Sequence, residues 1–372
     1  MALKTGLFFL FDTLGQMAPA DMYEQALEDA VIGEEMGVYA VCPAEHHFSE
    51  NYGIMPRVEH FCSYVAGATK KMTLWPMVIV APLGHPVRLA EDVALIDQFS
   101  RGRMVFSIGS GYRKYEFTQF GQPIEENATR VREIAELAVR LWTEENVTHH
   151  GQHYDVDGVS LQPRPYRAPH PPVYLTTTRH DQICWAAEQG YGIVPAAGFN
   201  AATLKHDYDL HAETAKAAGQ PTMDIRPFFK WIYVHEDHDT AVREGNKYIL
   251  RTLAAFAQGG GRLFSMLLGK SIETWDKDNP KPEWFSDKIS EIMTAGIGYE
   301  DMIESGWSPY VCGDPDHVVE VLKPFVEAGG NFFMGGFRCG PMPSEKVRKS
   351  MKLFMEEVAP RLGVETASDP SI

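Results

Sequence analysis

The chain has 372 residues, with 34 lysines and arginines against 50 aspartates and glutamates, a formal net charge of −16. An apolar share of 44% and a charged share of 23% belong to a globular protein and exclude disordered, collagen-like and coiled-coil chains. Nucleic acid is excluded as a partner, because phosphate neutralisation needs clustered Lys and Arg, and the densest basic stretch is only Arg101, Arg103, Arg113 and Lys114.

The five cysteines are odd in number and form no Cys-x-x-Cys pair, so neither a disulfide framework nor a zinc site is indicated, which fits a reducing cytoplasm. No apolar run reaches the about 18 residues of a membrane span. The apolar run from Leu7 to Phe11, broken by Asp12, is too short for the core of a secretion signal and reads as a buried strand.

Short apolar runs alternate with amphipathic stretches, the signature of β-α units building a parallel sheet. Gly6–Phe11 reads as the first strand, followed by a helix over Asp21–Met36 capped by Ala20 or Asp21 and stopped by Gly37. Val38–Cys42 is the second strand and Met72–Val80 the third, the latter followed by a helix through Leu89, Val93 and Ile96. Met104–Ile108 is the fourth strand. The stretch Ile124–Trp142 is a long amphipathic helix, with Val131, Ile134, Leu137, Ala138 and Leu141 on one face.

After a proline-rich connection come strands at Val173–Thr178, Gly192–Pro195 and Phe228–Val234, interleaved with helices at Gln182–Gln189, Ala201–Ala218 and Asp239–Phe256. A helix over Val318–Glu327, an eighth strand at Asn331–Gly335 and a helix over Lys346–Val358 close the series. Eight strands each followed by a helix is the count of a (β/α)8 TIM barrel. The expectation is an α/β chain with a single domain over residues 1–363 and a frayed tail at 364–372. The stretch 258–308, between strands seven and eight, breaks the period and reads as an inserted lid or a solvent-facing helical insertion.

Barrel active sites lie at the carboxyl ends of the strands, so polar residues just after each strand are the candidates. Glu45, His46 and His47 follow the second strand. An imidazole beside a carboxylate can be held in one tautomer and act as base or donor near neutral pH; a histidine that merely caps or packs is the competing reading. Gly109, Ser110, Gly111 and Tyr112 after the fourth strand form a small-residue turn that lets a planar ligand or a phosphate approach the backbone. Thr176, Thr177, Thr178, Arg179, His180, Asp181 and Gln182 place hydroxyls and a cation at a helix start, where free N–H groups suit a phosphate or a side chain simply caps the helix.

No metal constellation is evident; His149, His150 and His153 lie in a polar stretch that reads as a turn or hairpin. A Gly-x-Ser-x-Gly hydrolase elbow is absent.

Several stretches together resemble the bacterial luciferase-like flavin monooxygenases. They are Glu45-His46-His47-Phe48; the run from Gly84 to Tyr112, with Glu116-Phe117 and Phe120-Gly121 after it; the stretch from Pro171 with Trp185-Ala186-Ala187; and the closing run from Ser350. The resemblance implies a monooxygenase using reduced FMN delivered by a separate NAD(P)H:flavin reductase. With O2 a flavin peroxide would form and oxygenate a small-molecule organic substrate, by hydroxylation or by insertion beside a carbonyl. His46 would be the catalytic histidine, flanked by Glu45 and His47.

The flavin ring would lie near Met77 and Val78, where the family often has a non-prolyl cis peptide, with Gly109, Ser110 and Tyr112 beside it. The phosphate would lie near Thr178, Arg179, His180 and Gln182, with Arg130 as a further cation. Phe8, Phe199, Trp231, Phe264, Met266 and Phe337 are the apolar candidates for substrate or lid contacts. A homodimer through the second and third helices is also implied. One departure is that light-emitting members carry arginine at Ser110 and cysteine at Gly109, which argues against light emission with an aldehyde. Competing readings on the same scaffold are a deazaflavin-dependent hydride-transfer oxidoreductase and a non-catalytic flavin-binding relative.

Overall fold

The computed structural model describes residues 3–49, 51–195, 200–258 and 308–363. Parallel strands alternate with helices throughout, as the hydrophobic patterning requires: β1 (Lys4–Phe9), α1 (Pro19–Glu35), β2 (Ala40–Pro43), α2 (Val58–Ala68), β3 (Thr73–Leu74), β4 (Ile79–Val80), α3 (Pro86–Ser100) and β5 (Phe106–Gly109). There follow α4 (Lys114–Gln119), α5 (Asn127–Thr143), a hairpin of β6 (Val147–His150) and β7 (Asp155–Val159), β8 (Val173–Thr176), α6 (His180–Glu188), β9 (Gly192–Val194) and α7 (Ala201–Ala217). The chain continues through β10 (Pro227–Val234), α8 (His238–Gln258), β11 (Tyr310–Gly313), α9 (Pro315–Glu327), β12 (Phe332–Gly336) and α10 (Ser344–Leu353).

One sheet runs β11-β10-β12-β1-β2-β3 and the next β4-β5-β8-β9, every pairing within them parallel. A parallel bridge between Leu74 and Met104 joins the two on one side, in an arrangement of the TIM-barrel type. Residues alternate across each strand. Ala40, Cys42, Phe332 and Met334 turn to the inner cluster with Trp75, Met77 and Tyr174, while Val41 and Phe333 pack outward under the helices. Trp75 stacks on Phe332 at 4.9 Å and lies 4.6 Å from Tyr174, so the interior is a filled core.

Three expectations need correction. The first strand stops at Phe9 and not Phe11, because Phe11 takes a φ of +60° that leaves the extended region. The third strand is not continuous over Met72–Val80: Pro76, which has no N–H to donate, and a cis peptide between Met77 and Val78 separate β3 from β4. A strand absent from the sequence reading, β11, pairs Tyr310–Gly313 with Trp231–Val234 of β10. The His149–His153 stretch is a hairpin. The proposed lid, apart from its ends at Gln258 and Ser308, and the tail at 364–372 lie outside the described residues.

Candidate active site

Glu45, His46 and His47 leave the carboxyl end of β2 and are all buried, at 5%, 7% and 5% exposure. The Glu45 carboxylate faces both ways: Oε1 lies 3.0 Å from His47 Nε2, and Oε2 accepts the Val80 N–H at 3.0 Å. It therefore ties the histidine loop to β4.

A second carboxylate, Glu116 on α4, organises His46. Its Oε1 accepts from the His47 backbone N–H at 2.9 Å and the Arg113 guanidinium at 2.8 Å, and stands 3.4 Å from His46 Nδ1. Burial pushes this carboxyl up, but His46, Arg113 and the His47 amide outweigh it and hold it below the usual range. His46 is lowered too, but for a different reason: desolvation dominates and lowers its affinity for a proton, with Glu116 pulling against it. The imidazole is thus favoured neutral, with Nδ1–H directed at the carboxylate and Nε2 left as the basic atom.

Tyr52 packs on the His46 ring with centroids 4.4 Å apart, and the Arg113 guanidinium lies over the Tyr52 ring at 4.6 Å. The Tyr52 and Tyr112 hydroxyls are hydrogen-bonded to one another, and the Tyr112 ring lies 6.0 Å from His46. The aromatic walls exclude water from the ring, the condition that makes a proton-handling group effective.

Beside this cluster runs the edge of β4 and β5. The Met77–Val78 peptide is cis, and the Ser107 hydroxyl lies 3.9 Å from Met77 Sδ. A side chain at Gly109 would bring its Cβ within 2.7 Å of Val78 Cγ2, so this close approach requires glycine. Gly111 takes a φ of +74°, turning the chain after Ser110 so that Tyr112 meets Tyr52.

At the carboxyl end of β8, Thr176 Oγ1 is buried with no partner among the described residues. Thr177 Oγ1 accepts the Arg179 N–H at 3.1 Å. Thr178, Arg179 and His180 are exposed at the start of α6. Gln182 is buried and turned to α5, donating to the Ala128 carbonyl at 3.3 Å and accepting from Arg132 at 3.2 Å. Arg130 is held by Glu126 at 2.7 Å and lies against Tyr154. Arg132, not singled out by the sequence, reaches Asp181 at 3.0 Å. Its position two residues beyond Arg130 carries no local signal.

Among the apolar candidates, Phe8 and Trp231 meet around Phe229, at 4.6 Å from each ring. Phe337 instead packs 5.5 Å from Phe354, in the outer layer behind the sheet. Phe199, Phe264 and Met266 lie outside the described residues. His149 is bound to Glu133 at 3.0 Å and His150 to Asp155 at 3.1 Å. Among the described residues no three His, Cys, Asp or Glu side chains are grouped to hold a metal.

Comparison with known proteins matches residues 3–331 to the family described as luciferase-like monooxygenase. An uncharacterised protein of Sinorhizobium fredii is 34% identical over 51% of this chain and 55% of its own length, so the chain aligns with about half of that relative. The alkanal monooxygenase alpha chain of the Kryptophanaron alfredi symbiont is 26% identical over 97% of this chain and 98% of its own. Among solved structures, monooxygenase RslO1 from Streptomyces bottropensis superposes with a TM-score of 0.81 at 23% identity, covering 97% of this chain and all of that one.

The oxygenating constituent of 3,6-diketocamphane monooxygenase from Pseudomonas putida, solved with FMN, gives a TM-score of 0.75 at 20% identity, and the coenzyme F420-dependent tetrahydromethanopterin reductase of Methanopyrus kandleri 0.74 at 21%. Each of these two covers 98% of this chain and all of its own. At these identities the structures establish the fold.

Proposed function

Because the chain belongs to the luciferase-like monooxygenase family, we propose that it is a flavin-dependent monooxygenase taking reduced FMN from a separate reductase and oxygenating a small, largely apolar organic substrate. The observation that carries the reading is the buried His46–Glu116–Arg113 cluster at the carboxyl end of β2, next to the ends of β4 and β5. There Val78 packs on Gly109 too closely for a side chain, and at the end of β8 the Thr176 hydroxyl is buried with no partner among the described residues. These residues fit a flavin: Met77, Val78, Gly109 and Ser110 would face its ring, and Thr176, Thr178, Arg179 and His180 its phosphate end.

Bound and reduced, the flavin supplies the two electrons that activate O2, so that one oxygen atom enters the substrate and the other leaves as water. The protein's part is proton placement and desolvation. Glu116 fixes the Nδ1–H tautomer of His46, so Nε2 can take or return a proton at the reacting centre. Glu45 holds His47 and the Val80 amide, which keeps the histidine loop against the β4 edge. Tyr52 and Tyr112 close the side of the pocket, and the half-buried Phe8 and Phe229 offer apolar surface to the substrate, with the fully buried Trp231 packed behind them. Tyr64 on α2 and Leu95 and Phe99 on α3 are 54%, 41% and 60% exposed, an apolar face suited to a second copy of the chain.

The test is anaerobic loading with reduced FMN, mixing with labelled O2 and a panel of ketones, aldehydes and aromatics, and reading label in product by mass. His46→Ala should bind FMN and lose product formation by about 10²-fold or more. Turnover equal to the parent in that variant sinks the assignment of His46. Substrate reduction by a reduced deazaflavin, with no O2 consumption, would replace the monooxygenase reading with hydride transfer.

A further inference from the structure

The start of α6, where the preceding reading puts the flavin phosphate, already carries an anion of its own. The Asp181 carboxylate pairs with Arg179 at 3.1 Å through Oδ1 and with Arg132 at 3.0 Å through Oδ2, and Arg132 also donates to the Asp181 carbonyl at 3.0 Å. Slight burial pushes this carboxyl up, but the two guanidiniums outweigh it and hold it below the usual range. The third cation of the region, Arg130, is occupied by Glu126 at 2.7 Å. Each arginine near the expected phosphate therefore has a carboxylate partner before any ligand arrives.

We propose that Asp181 acts as an internal competitor for the flavin phosphate, a specificity-determining residue that weakens the grip on FMN relative to its unphosphorylated counterpart. The inference rests on the reading that a flavin binds at the carboxyl ends of the strands with its phosphate toward α6. The physical basis is simple electrostatics. A phosphate entering beside Arg179 must displace Asp181 from the guanidiniums or share them with a like charge a few ångströms away, and either route costs binding energy. The pairs are exposed, with side-chain exposures of 57% and 55% for Arg179 and Asp181, so they exchange partners readily. Such a site holds FMN loosely, as a protein that receives reduced flavin from a partner and returns it oxidised requires.

The experiment compares FMN and riboflavin affinities, by quenching of flavin fluorescence, for the parent protein, Asp181→Asn and Arg179→Gln. Asp181→Asn should tighten FMN by about three- to tenfold at low ionic strength, the range one nearby unit charge commands, and leave riboflavin unchanged. The gain should shrink at about 1 M salt, where the Debye length is about 3 Å. Equal changes for both flavins, or none, overturn the role of Asp181. If Arg179→Gln weakens FMN alone in that case, the phosphate placement survives without it. If neither variant alters the ratio of FMN to riboflavin affinity, the phosphate lies elsewhere and placement and proposal fall together. A parent protein that binds neither flavin overturns both as well.

Discussion

Glu116→Gln is the most discriminating change in the candidate site, because one carboxylate oxygen serves three groups: the His47 N–H at 2.9 Å, Arg113 at 2.8 Å and His46 Nδ1 at 3.4 Å. The side chains of the ion pair are 9% and 2% exposed, so the guanidinium cannot turn to water when its partner loses charge. Removing one partner of a buried pair costs about 3–5 kcal/mol. Glutamine keeps an acceptor oxygen for the backbone N–H, so the expected loss is about 2–3 kcal/mol.

The pH dependence follows from the native carboxyl being held below its usual value of 4.5. Its contribution is fully present above pH 4.5 and is lost as the pH falls through the native value, so parent and variant converge in acid. His46 is already displaced below 6.5 by burial, with Glu116 opposing. Loss of the charge displaces it further down and moves the acid limb of any His46-dependent rate to lower pH. The assay is denaturant unfolding from pH 3.5 to 8, joined to nitrogen-15 NMR of labelled histidines, with a His46 variant to assign the signal among the 14 histidines. Unchanged stability with an unchanged His46 tautomer and titration would refute the argument.

Two further outcomes follow from buried ionisable groups outside the His46 cluster. Asp12, 1% exposed, is pushed up to about 7 by burial, against a hydrogen bond from Thr252. Between 3.8 and about 7 the folded protein holds a proton that the unfolded chain releases, so this residue lowers stability as pH rises through that window. Asp12→Asn should therefore gain on the parent between pH 5 and 8, by at most about 3 kcal/mol at 1.36 kcal/mol per pKa unit, since only the stretch from pH 5 to about 7 is crossed; a gap that is the same at both pH values contradicts it. Arg338 and Asp29, with side chains 2% and 0% exposed, form a buried pair, and Arg348 holds the second Asp29 oxygen at 3.0 Å. Arg338→Met should cost about 3 kcal/mol by leaving Asp29 under-compensated, measured by denaturant unfolding, and a cost below about 1 kcal/mol would show the pair to be dispensable.

Much of the barrel was legible in the chain because its signals are local. Periods of two and of about 3.6 residues mark which face of a strand or helix is buried, and prolines and glycines mark the joints. That was enough for β2, α5 and β12, and for the expectation that Glu45, His46 and His47 crown a strand. The reading failed where local pattern is ambiguous. Tyr310–Gly313 is too short an apolar run to be told from loop, and β3 and β4 looked continuous because Val78, Ile79 and Val80 outvoted Pro76.

The amino-acid order by itself determined an acidic, barrel-forming chain with a histidine pair just after its second strand. Which charges meet there was decided only by tertiary structure. Glu116 stands 70 positions from His46 and Arg132 stands 49 from Asp181, each pair on separate β-α units. A parallel barrel brings its loops together at one rim whatever their separation along the chain. The partner of a buried or convergent charge is therefore set by how neighbouring units pack, and short-range sequence periodicity carries no record of that.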